Sequence, residues 1–365
     1  RGADESVAAL KVRIDEFNKR QKRGRQIQGL KFEREFQRYY PNGALASHVI
    51  GFTSNDWQEY GNQQISVQEG MDGIEKQFDQ ALSGTVGYRL IEKNRRGEEL
   101  VAFRGEDVPP QNGCRIVLTI DQTIQHIVEE ELANVCEEQR PESAVAIVMR
   151  PETGEILAMA NVPTFDLNDP NKDIAAMKNR TIADAHEPGS TFKIVVVGAG
   201  LDQKMLTLND TFFCENGKFL YAGYYLHDHK PFGMQTVRQI IVHSVNIGAA
   251  KIALKLGEET FYKYICRFGF GEPTSIQLPG EMRGLVRAPK SYSKISQTRI
   301  AMGHEITATP LQTILAMSAV ANGGNLMKPV IVKRILGEDG GTIQEFGPAV
   351  RRRVLSKPAA SRLTE

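Results

Sequence analysis

The order of elements readable in this 365-residue chain predicts an α+β protein, an antiparallel sheet flanked by helices with a separate, elongated domain in front of it. Three observations carry that prediction. SAVAIVMRPETGEILAMANV at 143–162 holds two β-prone runs joined by a Pro-Glu-Thr-Gly turn, which is a hairpin signal. Apolar-periodic stretches at 191–203, 236–256 and 309–322 read as helices after it. Ahead of it, residues 39–113 are cut again and again by glycine, the texture of short strands and turns.

Taken in order, residues 5–38 read as largely helical and strongly charged, with Val7, Leu10, Val12, Ile14 and Phe17 as a loose apolar stripe. Lys11, Arg13, Lys19, Arg20, Lys22, Arg23, Arg25, Lys31, Arg34 and Arg38 make this stretch basic. Acids and apolar residues interrupt the run, so a solvated helical face explains it better than a nucleic-acid arm. Gly43, Gly51, Gly61, Gly70, Gly73, Gly84, Gly87 and Gly97 punctuate the next region, and PPQNG at 109–113 closes it. Domains of residues 1–113 and 114–365 follow from that boundary. In the second, RIVLTI at 115–120 predicts a strand and 121–138 a helix, and the hairpin at 143–162 is expected at the centre of the sheet. There is no solenoid-type repeat and no low-complexity segment.

Composition narrows the function classes. Hydrophobic content of 41% and charged content of 24% are ordinary for a globular chain. A net charge of +1 supplies no field for nucleic acid. Cys114, Cys136, Cys214 and Cys266 show no CxxC spacing, so no zinc knuckle or dithiol redox site is suggested. No apolar run approaches the roughly 20 residues of a membrane span. The chain opens on RGADESV without a methionine, so an anchor is expected in a segment outside it.

The chemistry centres on HEPGSTFK at 186–193. Pro188-Gly189 makes a turn and an apolar run follows at once, which places Ser190 at or near a helix N-terminus. Lys193, three positions on, shares its helical face. A serine hydroxyl needs a base, and a lysine desolvated by apolar neighbours can serve as one. The bland alternative is a capping serine followed by a surface lysine. Ser291-Tyr292-Ser293-Lys294 repeats the spacing, but polar residues surround it and no apolar helix follows, so it reads as a decoy. Ser244 and Asn246, in HSVNIG, could bring a hydroxyl and an amide to a cleft wall, or could simply start a helix. His227-Asp228-His229 reads as a polar loop, since no third metal ligand is evident.

Ser-x-x-Lys followed by Ser-x-Asn, in this order, resembles the class B penicillin-binding proteins, the monofunctional transpeptidases of peptidoglycan synthesis. RYYPNGALASHVIGF at 38–52 and GMDGIEKQFDQALSGTVG at 70–87 look like that family's N-terminal pedestal. LTIDQTIQ at 118–125, GEILAMANVPTFDLN at 154–168, FGFGEPTSIQLPGE at 268–281 and ATPLQTILAMSAVANGG at 308–324 look like landmarks of its transpeptidase domain. The resemblance implies the penicillin-binding and serine β-lactamase-like fold, with Ser190 acylated, Lys193 as its base, and Ser244 and Asn246 assisting proton transfer and holding substrate. It makes Glu187 a structural turn residue and His243 a packing residue.

It also implies a Lys-Thr-Gly motif, and none occurs in the 365 − 246 = 119 residues after Asn246. That strand would supply one oxyanion N–H and the carboxylate contact, so acylation by this chain is expected to be weak; one lost oxyanion donor costs about 100- to 1,000-fold. The implied reaction breaks the bond between two D-alanines of a peptidoglycan stem peptide and passes the acyl group to an amine. β-Lactam antibiotics would acylate Ser190, and no metal or organic cofactor is needed. Implied too are a membrane-embedded glycosyltransferase or division or elongation complex as partner, no nucleic acid, and a place on the periplasmic face of the bacterial membrane. Three alternatives compete, one of them a pure interaction module, which would not need Ser190, Lys193, Ser244 and Asn246 in this order. A serine β-lactamase would turn over a chromogenic cephalosporin, and a catalytically silent sensor or scaffold would be acylated without transpeptidation.

Overall fold

The structure, a computed structural model, describes residues 2–27, 37–60, 63–92, 94, 105, 107–169, 171 and 173–365. Lys31, Arg34, Gly61 and Gly97 lie outside the described residues. Two compact units divide the chain: Arg1–Tyr39 with Asn55–Gln68, and Tyr40–Ser54 with Glu69–Glu365.

In the first unit the helix spans Gly2–Arg20 and gives way to a short 3-10 turn at Arg23–Arg25. The helix expected over 5–38 is therefore interrupted after Arg20, and residues 28–36 of that stretch lie outside the described residues. The Asn18 amide explains the stop: its Nδ2 donates to Ile27 O at 2.8 Å and its Oδ1 accepts from Ile27 N at 2.7 Å, which folds the chain back. Leu10, Val12 and Phe17 of the apolar stripe are exposed. Strands Thr53–Tyr60 and Gln63–Gly70 pair in a two-stranded sheet.

Residues 40–54 belong to the second unit because distant groups hold them there. Tyr40 N donates to Asn168 Oδ1 (3.0 Å), Asn168 Nδ2 donates to Tyr40 O (2.8 Å), and Ala46 N donates to Glu129 Oε1 (2.8 Å). Tyr40, Phe165, Leu167 and Ala176 bury one another beside these bonds.

The hairpin forms as predicted, with strands Ala144–Met149 and Ile156–Val162 in antiparallel register and Ile147 opposite Met159. Ile156, Ala158, Met159 and Ala160 are buried, which places it in the core. It is not central in a larger sheet: among the described residues it is two-stranded. The outer edge of its second strand is met instead by residues 119–125. Thr119 Oγ1 donates to Ile156 O (2.7 Å) and Asp121 N donates to Leu157 O (2.9 Å). The buried Gln125 amide accepts from Met159 N (2.8 Å) and donates to Met159 O (3.0 Å). A side chain thus stands in for a neighbouring strand and leaves those backbone groups paired. Strand Arg115–Leu118 pairs instead with Val332–Leu336, which also pairs with Thr342–Glu345, all antiparallel.

Helices supply the rest. Gln122–Gln139 is capped by Asp121, whose carboxylate accepts from Thr123 and Ile124 N. Pro310–Ala321 starts with a Thr309–Gln312 capping box and Pro310 in its first turn. Lys193–Asp202, KIVVVGAGLD, is apolar all round and buried almost throughout, as a central helix must be. It packs against Asn246–Leu256, Glu258–Arg267 and Lys357–Thr364. The stretch expected to be helical over 236–256 is two helices, Val237–Val242 and Asn246–Leu256, broken at His243–Val245. The four cysteines are unpaired thiols. Among the described residues no helix is long and apolar enough to cross a membrane, and no three His, Cys, Asp or Glu side chains cluster to hold a metal.

Candidate active site

Ser190 lies in a 3-10 turn, Gly189–Phe192, that runs directly into the buried helix beginning at Lys193. The turn is pinned from outside the segment. Gly189 N donates to Gly303 O at 3.2 Å, and the two backbones approach so closely that a Cβ on Gly303 would meet Gly189 O at 2.1 Å and Gly189 N at 2.5 Å. Only glycine fits at 303, where φ is also +80°. Ser190 stays exposed while Phe192 is buried against Phe261 and Phe270.

Lys193 is 2% exposed, so its amine is almost wholly removed from water beside a solvent-reachable hydroxyl. Burial pushes its pKa down from 10.5 to about 8, against a smaller upward pull from the Asp228 carboxylate. Four oxygens surround Nζ: Ser244 O at 2.6 Å, Asn246 Oδ1 at 2.7 Å, Ser244 Oγ at 2.9 Å and Ser190 Oγ at 3.0 Å. Two of them, a carbonyl and an amide oxygen, carry no hydrogen and can only accept. A neutral amine has two N–H bonds, and donating both there leaves its lone pair for a hydroxyl. Ser244 Oγ donates to Ser190 Oγ at 2.8 Å, so the Ser190 proton is free to point at Nζ. The arrangement can deprotonate Ser190.

The break in the expected helix is what brings Ser244 there. Its φ is +54°, a left-handed conformation that is uncommon outside glycine and often found at functional sites. That conformation goes with a backbone oxygen and a hydroxyl from one residue both on Lys193. Asn246 opens the next helix, and its Nδ2 donates to His227 O at 3.1 Å, which turns its Oδ1 toward the lysine.

The structure therefore gathers all four residues singled out from the sequence. Ser291 and Lys294 stay apart from them: both are exposed, and Ser291 Oγ donates to Ala288 O at 2.8 Å. Glu187 is engaged with Glu305 N (2.8 Å) and His304 Nδ1 (2.7 Å), contacts that hold its carboxyl below the usual range. His243 stacks on Phe232. Sequence reading passed over two participants. Gly303 supports the nucleophile turn, and Asp228, set aside as part of a polar loop, accepts from Asn246 N (2.5 Å) and Ile247 N (3.2 Å). An acid just after a β-strand end carries no sequence mark of the helix it caps eighteen positions later.

Comparison with known proteins bears on the family and the fold. A family model described as the penicillin binding protein transpeptidase domain matches residues 144–365, and one described as the penicillin-binding protein dimerisation domain matches residues 3–118. Stage V sporulation protein D of Bacillus subtilis is 30% identical over 92% of this chain and 51% of its own length. Peptidoglycan D,D-transpeptidase FtsI of Escherichia coli is 31% identical over 85% of this chain and 50% of its own. The chain thus spans about half the length of these curated relatives. Among solved structures, a peptidoglycan synthetase from Bifidobacterium adolescentis superposes with a TM-score of 0.78 at 26% identity, over 90% of this chain and 58% of that one. Penicillin binding protein 3 from Mycobacterium tuberculosis, complexed with aztreonam, gives 0.75 at 28%, over 90% and 67%.

Proposed function

The chain belongs to the penicillin-binding protein transpeptidase family, and from that premise we propose that it carries the acylating half of a peptidoglycan D,D-transpeptidase site. Ser190 attacks the amide between the two terminal D-alanines of a stem peptide. Lys193 takes its proton, and Ser244 passes that proton to the departing D-alanine. Asn246 holds the lysine and the substrate amide. The acyl group then moves to an amine on a neighbouring stem, closing a crosslink. A β-lactam antibiotic follows the same first step and stays on Ser190.

The observation that carries this reading is a desolvated amine, with a pKa of about 8, whose lone pair is left for the Ser190 hydroxyl. Residues 1–113 are read as the pedestal and 114–365 as the transpeptidase module, supported by the separate family matches over 3–118 and 144–365. Work on the extracytoplasmic, periplasmic side of the membrane, beside a glycosyltransferase or a division or elongation complex, follows from the stem-peptide substrate.

The test is covalent. The chain incubated for hours with a fluorescent penicillin should gain one adduct mass, mapped by peptide sequencing to Ser190. Slow acylation remains visible because the product accumulates. Ser190→Ala should carry no adduct; an adduct that survives it, or that maps to Ser291, ends the assignment. Turnover of a chromogenic cephalosporin would favour the β-lactamase alternative instead.

A further inference from the structure

Asp228 follows the strand Tyr224–His227 and reaches across to a different element. One of its carboxylate oxygens, Oδ1, accepts from the first two backbone N–H groups of the eleven-residue helix Asn246–Leu256. Its other oxygen, Oδ2, is buried and has no hydrogen-bond partner. The neighbouring residue joins the same contact, since His227 O accepts from Asn246 Nδ2. A capped helix end alone needs one acceptor oxygen, which an asparagine would supply with less desolvation cost. A buried, half-unpaired carboxylate needs another reason. The cation on the nucleophile helix that its charge acts on is Lys193, and the other titratable groups acting with it are His229 on its own loop and Cys214.

We propose that Asp228 is a positioning residue of the acyl-transfer site, which locks Asn246 and Ser244 onto Lys193 through the helix cap and sets a buried negative charge against the Lys193 ammonium. This inference rests on the proposed acylation chemistry. Its two halves are separable. The cap holds the geometry that leaves the amine lone pair on Ser190. The charge keeps desolvation from stripping the amine of its proton altogether, so the lysine can accept the Ser190 proton and hold it until the leaving group takes it.

Asp228→Asn keeps an acceptor for the cap and loses the charge, while Asp228→Ala loses both. The readout is the pH midpoint of Lys193, followed by the 13Cε resonance in lysine-labelled protein and assigned by its loss in Lys193→Arg. The native midpoint should lie near 8 and fall by about one unit in Asp228→Asn, because an opposite charge nearby favours the charged form. At pH 9, penicillin labelling should survive in Asp228→Asn and drop about fivefold to tenfold in Asp228→Ala, the equivalent of one lost cap. An unmoved or raised midpoint in Asp228→Asn overturns the electrostatic half, and equal labelling of the two variants overturns the positioning half. If the native chain takes up no penicillin at all, the acylation reading fails, and the lysine midpoints still decide whether Asp228 acts on Lys193.

Discussion

Ser190–Lys193 and Ser291–Lys294 share one spacing in one chain and differ in almost everything around it. Both serines sit in 3-10 turns and both are exposed. The first turn runs into a buried helix, so its lysine is 2% exposed, and residues fifty positions away close on the amine. The second runs into a polar loop: Lys294 is exposed and Ser291 Oγ is spent on Ala288 O. A base is made here by burial and by acceptors that use up its hydrogens, and a four-residue pattern encodes neither.

The strongest way to break this contrast is to remove each amine in turn. Lys193→Ala should slow penicillin labelling by about 100- to 10,000-fold, the usual worth of a general base, while Lys294→Ala leaves the rate unchanged. Comparable losses from the two would show that the buried lysine is not the base.

The pH profile sharpens the same point. With a Lys193 pKa of about 8, labelling should climb about tenfold per pH unit up to that value and level off above it. Stability should carry the matching sign. Below pH 8 the amine is protonated whether the chain is folded or unfolded. Between about 8 and 10.5 only the unfolded chain holds the proton, so the native protein should gain stability with rising pH relative to Lys193→Met. A flat difference in denaturation midpoints across that window would contradict a desolvated amine.

Next comes the support of the turn. Gly303→Ala drives a methyl into the backbone of Gly189, where no flexible side chain can give way, and should cost about 2–4 kcal/mol as an overpacked, strained site. Gly189→Ala has open space for its Cβ and only the strain of φ +57°, about 1–2 kcal/mol. Thermal unfolding of the two variants ranks them; Gly189→Ala as the more harmful would refute the close approach. The smallest effect belongs to Ser291→Ala, whose adduct yield should match that of the native chain.

Much of the fold was legible. Alternation and a Pro-Glu-Thr-Gly turn located the hairpin, and apolar periodicity located the buried helix and the one at Pro310–Ala321. The break after Arg20 in the stretch 5–38 was missed because periodicity does not register the Asn18 side chain that captures Ile27. The place of the hairpin in the sheet was misread because Gln125, a helical residue, occupies a strand edge with its amide.

For the site, Ser190, Lys193, Ser244 and Asn246 could be named in advance because their types, spacing and order are written in the chain and resemble a known family. Sequence alone also determined that an apolar helix would follow Ser190 and desolvate whatever its first turn carried. Tertiary structure decided the rest. It turned Ser244 into a left-handed conformation, brought Gly303 under the nucleophile turn, and set Asp228 against a helix eighteen residues on. These are contacts between segments with no local signature, and their energies depend on burial and on distances of a few ångströms, which exist only once the chain has folded.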